Sequence, residues 1–123
     1  MPARILLVDD DPGIRFALGL KLKSVGYVVA EATDGREAVD YLATGSADLV
    51  IMDVGMPRMD GYTAAAALRA EERTRRIPIL FLTAQNFELP VEVAAVIGRH
   101  GFLTKPFSPR DVTNSVASML AES

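Results

Sequence analysis

The sequence predicts an α/β domain built on a parallel sheet, and three observations carry that expectation. Short apolar runs alternate with stretches of helical period, five times along the chain. The runs are apolar at successive positions, which fits strands covered on both faces better than a sheet with one wet side. Most of the intervening stretches open on a residue type that caps helices.

The expected strands are Arg4 to Val8 (RILLV), Tyr27 to Ala30 (YVVA), Leu49 to Met52 (LVIM), Ile77 to Leu82 (IPILFL) and the weaker Gly101 to Thr104 (GFLT). Asp11-Pro12 reads as an N-cap followed by proline at the first helical position. Asp34-Gly35-Arg36-Glu37 comes close to a capping box. Asp60 can cap the Ala-rich helix that runs through Ala70. Ser108-Pro109-Arg110-Asp111 combines a cap, a first-turn proline and an acid near the positive helix end. Between the last two strands a helix is expected around Glu88 to Ile97. Asn86 caps better than Leu89, which puts Pro90 on the fourth helical residue, so this helix should start irregularly.

Five βα units in a row imply right-handed crossovers. Of the doubly wound orders, the flavodoxin-like 2-1-3-4-5 suits this length. It sets strands 1 and 3 side by side at the switch point, where ligands bind beyond the strand C-termini.

A chain of 123 residues fits one domain, expected to span 1–123, with SMLAES closing it and no output domain after it. Half of the residues are hydrophobic, and the net charge is −3. That charge argues against a general nucleic-acid surface, which should be basic. The chain has no cysteine, which excludes disulfides, thiolate metal sites and thiol nucleophiles. No apolar run reaches the roughly 20 residues of a membrane span. MPARILLVDD has no signal-peptide layout, so a cytoplasmic location is the default.

The chemistry gathers at the strand ends. Asp9 and Asp10 follow strand 1, and Asp53 ends strand 3, the charge closing an apolar run. Neighbouring strands lie about 4.8 Å apart. Three carboxylates would therefore crowd one rim, where mutual repulsion raises pKa values unless a cation intervenes. Such an all-oxygen set fits Mg²⁺. Thr83 ends strand 4 and Lys105 ends strand 5, on the same edge. A carboxylate can accept a phosphoryl group as an acyl phosphate. Lys and Mg²⁺ would neutralise its oxygens, and Thr would hydrogen-bond one of them. The chain lacks both GxxxxGK[ST] and GxGxxG, so the donor is expected to be another phosphorylated molecule. Taken singly, the residues have plainer readings: Asp11 as a helix cap, Phe102 as a core aromatic, His100 as a surface residue, and Met52, Met56 and Met59 as packing.

ILLVDDDP, VIMDVGMPRMDG, LTAQ and FLTKPF, in this order and spacing, resemble the receiver domains of two-component response regulators over essentially the whole chain. The resemblance implies that Asp53 is phosphorylated by a partner phosphohistidine. It implies a Mg²⁺ site of Asp9, Asp10, Asp53 and the Gly55 carbonyl, with Asp10 binding directly and Asp9 through water. Thr83 and Lys105 would contact the phosphoryl group, and the Lys105–Pro106 bond would be cis. Phe102 matches the switch aromatic, turning inward as Thr83 moves to the phosphoryl group, so that the surface of the fourth helix, fifth strand and fifth helix changes.

The implied partners are a histidine kinase or histidine phosphotransfer protein and a downstream protein, with no direct nucleic acid and no membrane. The same surface leaves room for a homodimer. No separate substrate is implied beyond self-phosphorylation and self-dephosphorylation. Gly55 stands where relatives often carry a long polar side chain, and Gln85 where they are often charged. Both flank the path of hydrolytic water. Gly98-Arg99 replaces a common Gly-Ala, and NFELPVEV is more apolar than the usual helix entry.

Three rival readings share parts of this set. A phosphatase of the haloacid dehalogenase type needs a second Asp two residues after the nucleophile, where this chain has Gly55. A binding module that is never phosphorylated would not need the full acid, Thr and Lys set. A flavodoxin would need a phosphate-cradling Ser/Thr/Gly loop after strand 1.

Overall fold

Strand β1 (Arg4–Val8) pairs in parallel with β2 (Val28–Ala32) on one side and with β3 (Leu49–Asp53) on the other. Strands β4 (Ile79–Thr83) and β5 (His100–Thr104) extend the sheet, giving the order β2-β1-β3-β4-β5 with every pair parallel. This is the expected doubly wound, flavodoxin-like order. The computed structural model describes residues 2–56, 59–83 and 100–122. Its described helices are α1 (Pro12–Ser24), α2 (Gly35–Thr44), α3 (Gly61–Ala70) and the C-terminal α4 (Pro109–Ala121). The helix expected around Glu88 to Ile97 lies outside the described residues, as do Gln85 and Gly98-Arg99.

Both faces of the sheet are covered, which explains the unbroken apolar runs. Leu6, Val8, Val50, Met52, Ile79 and Phe81 pack with Ala38 and Leu42 of α2 and Ala64, Ala65 and Leu68 of α3. Ile5, Leu7, Leu49, Ile51, Leu80 and Leu82 pack with Leu18 and Leu22 of α1 and Val112, Val116 and Met119 of α4. Full burial of each such aliphatic side chain is worth about 1.5–3 kcal/mol.

The helix starts follow the caps. Asp11 Oδ1 accepts from the Gly13 and Ile14 amides at 2.8 and 3.3 Å. Asp34 Oδ1 accepts from the Glu37 amide at 2.8 Å, while the Glu37 carboxylate takes the Thr33 hydroxyl at 2.7 Å. Asp60 Oδ1 accepts from the Thr63 amide at 2.8 Å. At α4 the box is complete, with Asp111 N donating to Ser108 Oγ and Ser108 N to Asp111 Oδ2.

Four strands differ from expectation at their ends, β3 only by running on through Asp53. β2 starts one residue later and runs on through Glu31 and Ala32, because pairing with β1 continues to Val8↔Ala32 irrespective of the charge at Glu31. β4 starts at Ile79 rather than Ile77: Pro78 has no N–H for the ladder, though its carbonyl accepts from Val50 N at 3.0 Å. β5 starts at His100, which pairs with Ile79.

Candidate functional site

The pairing Val8↔Met52 brings Asp9 and Asp53 together where β1 and β3 end. Oxygen atoms of Asp9, Asp10 and Asp53 lie within 4.8 Å of one another. Asp9 is fully buried and Asp53 nearly so, while Asp10 is exposed. The sequence-expected carboxylates therefore do converge on one rim.

Asp9 is the most constrained member. Its Oδ1 accepts from the Asp11 amide at 2.9 Å, and its buried Oδ2 has no hydrogen-bond partner among the described residues. Its pKa is raised from 3.8 to about 6, first by burial, then by the neighbouring charges of Asp53 and Asp10, with the Asp11 amide and Lys105 pulling the other way. Repulsion was the expected cause of such a rise; burial is the larger one. A buried carboxylate oxygen without a partner costs about 1–3 kcal/mol or more. A divalent cation would satisfy it through a coordinated water, and hard oxygen donors, some buried and one open to water, suit Mg²⁺.

The opposite side of the rim comes from β4 and the chain after β5. Thr83 is buried at the end of β4, and its carbonyl accepts from the Lys105 amide at 2.8 Å. Lys105 Nζ stands 3.4 Å from Asp53 Oδ1. The Lys105–Pro106 peptide is cis. Among the described residues, a Cβ added at Gly55 would meet no atom within 4 Å. Gly61 does the opposite: a Cβ there would fall 2.6 Å from the Asp53 carbonyl oxygen, so the start of α3 presses on the backbone of Asp53.

Phe102 lies two residues back from the end of β5, opposite Phe81. It is 39% exposed and stacks on Phe81 at 5.4 Å and 26°. His100 packs edge-on to Phe102 at 5.2 Å and to Phe81 at 6.2 Å, so it is half-buried in an aromatic group rather than a plain surface residue. Met52 and Met56 are buried and Met59 packs against the same core.

Sequence reasoning missed Arg15. Its Nη1 donates to the Asp9 carbonyl at 2.8 Å, and its Nε pairs with Glu31 Oε1 at 3.2 Å. A basic residue one turn into a helix that starts at an acidic strand end was the available signal.

Comparison with known proteins agrees with this geometry. A family model for the response regulator receiver domain matches residues 5–117. The alkaline phosphatase synthesis transcriptional regulatory protein PhoP of Bacillus subtilis is 37% identical over all of this chain and 50% of its own. The transcriptional regulatory protein PdtaR of Mycobacterium tuberculosis is 41% identical over 94% of this chain and 56% of its own. The chain thus spans about half the length of the curated relatives it matches.

Among solved structures, the chemotaxis response regulator CheY4 of Vibrio cholerae superposes with a TM-score of 0.88 at 33% identity, covering 97% of this chain and 99% of its own. The receiver domain of the sensor histidine kinase PA1611 of Pseudomonas aeruginosa, which holds a magnesium ion in its active site cleft, has a TM-score of 0.86 at 32% identity. It covers 98% of this chain and 99% of its own. With the family model matching residues 5–117, the chain belongs to the response regulator receiver domains of two-component signalling.

Proposed function

We propose that this domain takes a phosphoryl group from a phosphohistidine onto Asp53. The observation that carries this reading is the Lys105 ammonium 3.4 Å from an Asp53 carboxylate that also shares a rim with Asp9 and Asp10. An Asp53 carboxylate oxygen attacks phosphorus, the N–P bond breaks, and the imidazole leaves with its electron pair and is protonated. An aspartyl phosphate results. Asp10 directly, Asp9 through water and the Gly55 carbonyl would hold Mg²⁺. When bound, that ion supplies positive charge against the phosphoryl oxygens. Lys105 contributes a second positive charge, and the Thr83 hydroxyl hydrogen-bonds one oxygen.

The domain then acts as a two-state element biased by local charge. Thr83 draws toward the phosphoryl group and Phe102, now 39% exposed over Phe81, moves inward. The surface formed by β5, α4 and the helix expected before β5 changes with it and addresses a downstream protein or an output domain, or a second copy of the domain. The donor is a histidine kinase or phosphotransfer protein. Phe16 and Leu20, 71% and 61% exposed and one turn apart on the helix that leaves the acidic rim, offer an apolar surface for its approach. The domain turns over no separate substrate, and a cytoplasmic location and Mg²⁺ dependence belong to the same reading. Among the described residues no helix is long and apolar enough to cross a membrane.

Incubation with phosphoramidate and Mg²⁺ followed by borohydride reduction tests the acceptor. An acyl phosphate at Asp53 is reduced to homoserine at that position, read by peptide mass. Homoserine at Asp9 or Asp10 instead would reassign the nucleophile, and none anywhere would remove the reading.

A further inference from the structure

We infer that Arg15 is a positioning residue for the cation site, holding the Asp9 peptide in place while Glu31 holds the guanidinium. The inference rests on the Mg²⁺-dependent phosphoacceptor reading and goes beyond its carboxylate, Thr and Lys set. Asp9 lies one residue past the end of β1, where the sheet ladder is giving out. Its amide still reaches Ala32 O, at 3.2 Å, and its Oδ1 is taken by the Asp11 amide at 2.9 Å. Its carbonyl is taken by Arg15 Nη1 at 2.8 Å. These three bonds surround the remaining polar atom, the buried Oδ2 that has no partner among the described residues.

The anchor has its own support. Arg15 Nε lies 3.2 Å from Glu31 Oε1, and the Arg15 side chain is only 18% exposed. The planar guanidinium serves both acceptors at once, from α1 to β1 on one side and β2 on the other. A Lys ammonium on a flexible stem has no such fork. The bond that Arg15 makes to Asp9 goes to the backbone carbonyl. Arg15 therefore works through the peptide, in the manner of outer-shell groups that orient metal ligands. Glu31, the charge that interrupts the β2 apolar run, acquires a reason to be there.

Calorimetric titration of the domain with Mg²⁺ tests this, with metal-free melting measured alongside. Arg15→Ala should weaken Mg²⁺ binding about 10-fold or more, the usual cost of losing an outer-shell partner. Arg15→Lys should recover only part of it. Because Glu31 acts through Arg15, the double variant Arg15→Ala/Glu31→Ala should bind no more weakly than Arg15→Ala alone. Phosphorylation by phosphoramidate should shift its Mg²⁺ half-saturation and regain the parent rate at saturating Mg²⁺, a split that general loosening of the fold would not produce.

Parent-like Mg²⁺ affinity in Arg15→Ala would overturn the inference, as would fully additive losses in the double variant. If Arg15→Ala does not fold, Arg15→Lys and Glu31→Ala carry the test, and parent-like affinity in both overturns it. A parent domain that binds no Mg²⁺ would overturn the phosphoacceptor reading itself, an outcome visible before any variant is made.

Discussion

Lys105 reaches Asp53 across an intervening strand: its Nζ stands 3.4 Å from Asp53 Oδ1, although β4 separates β3 from β5 in the sheet. The Lys105 amide bonds the Thr83 carbonyl at 2.8 Å, so the β4–β5 ladder runs on by one residue and sets Lys105 at the rim. The ion pair is 40% exposed on its Lys side, so it adds at most about 1 kcal/mol to stability. Its place beside the acceptor oxygen gives it a larger part in the reaction. Lys105→Met should melt within a few degrees of the parent yet accept phosphoryl groups from phosphoramidate about 100-fold more slowly, the usual cost of losing one charge-stabilising donor. A parent rate in that variant would remove Lys105 from the chemistry.

Asp9 sets a pH dependence whose sign follows from its burial. A carboxyl raised from 3.8 to about 6 on folding binds its proton more tightly in the folded state. Its contribution to stability is full below about pH 4, falls as pH rises from about 4 to 6, and is flat above that. Asp9→Asn removes the charge, so the Tm of the metal-free variant should rise relative to the parent across that window and hold its advantage at pH 7.5. Mg²⁺ affinity of the parent should increase over the same window as Asp9 loses its proton. A Tm difference that does not change between pH 4 and 6 would contradict this.

Two glycines near the acceptor should behave differently. Gly61→Ala places a methyl 2.6 Å from the Asp53 carbonyl oxygen and 3.0 Å from Met52 Cγ, both in the packed interior. It should destabilise by about 1–3 kcal/mol and slow phosphorylation as the Asp53 backbone shifts. Gly55→Ala meets nothing within 4 Å among the described residues and should leave the melting temperature near that of the parent. Chemical denaturation of the pair checks both.

Phe102 tests the coupling from site to surface. Phe102→Ala should still be phosphorylated at close to the parent rate. The amide chemical-shift changes that phosphorylation produces along β5 and α4 should shrink. Undiminished changes would show that the surface responds by another route.

The sheet order and the acidic rim were legible because each rests on local chemistry: apolar runs closed by Asp9, Asp53, Thr83 and Lys105, and helices opened by Asp11, Asp34, Asp60 and Ser108. What escaped reading depends on contacts distant in sequence. Glu31 looked like the end of β2, but strand pairing with β1 overrides its polarity and Arg15 receives its carboxylate. His100 read as a surface residue because the expected β5 began after it; Phe102 two residues on was the available signal, whereas Phe81 is distant in sequence. The rise in the Asp9 pKa was anticipated from charge crowding, whereas its larger cause, burial, depends on how tightly the rim closes.

The most direct test of the account is the intact mass of the domain after incubation with acetyl phosphate or phosphoramidate, with and without Mg²⁺, beside Asp53→Asn. Phosphorylation of Asp53 should give a gain of one phosphoryl group that requires Mg²⁺ and is absent from the Asn variant. No gain in a folded parent, or an equal gain in the variant, would contradict it.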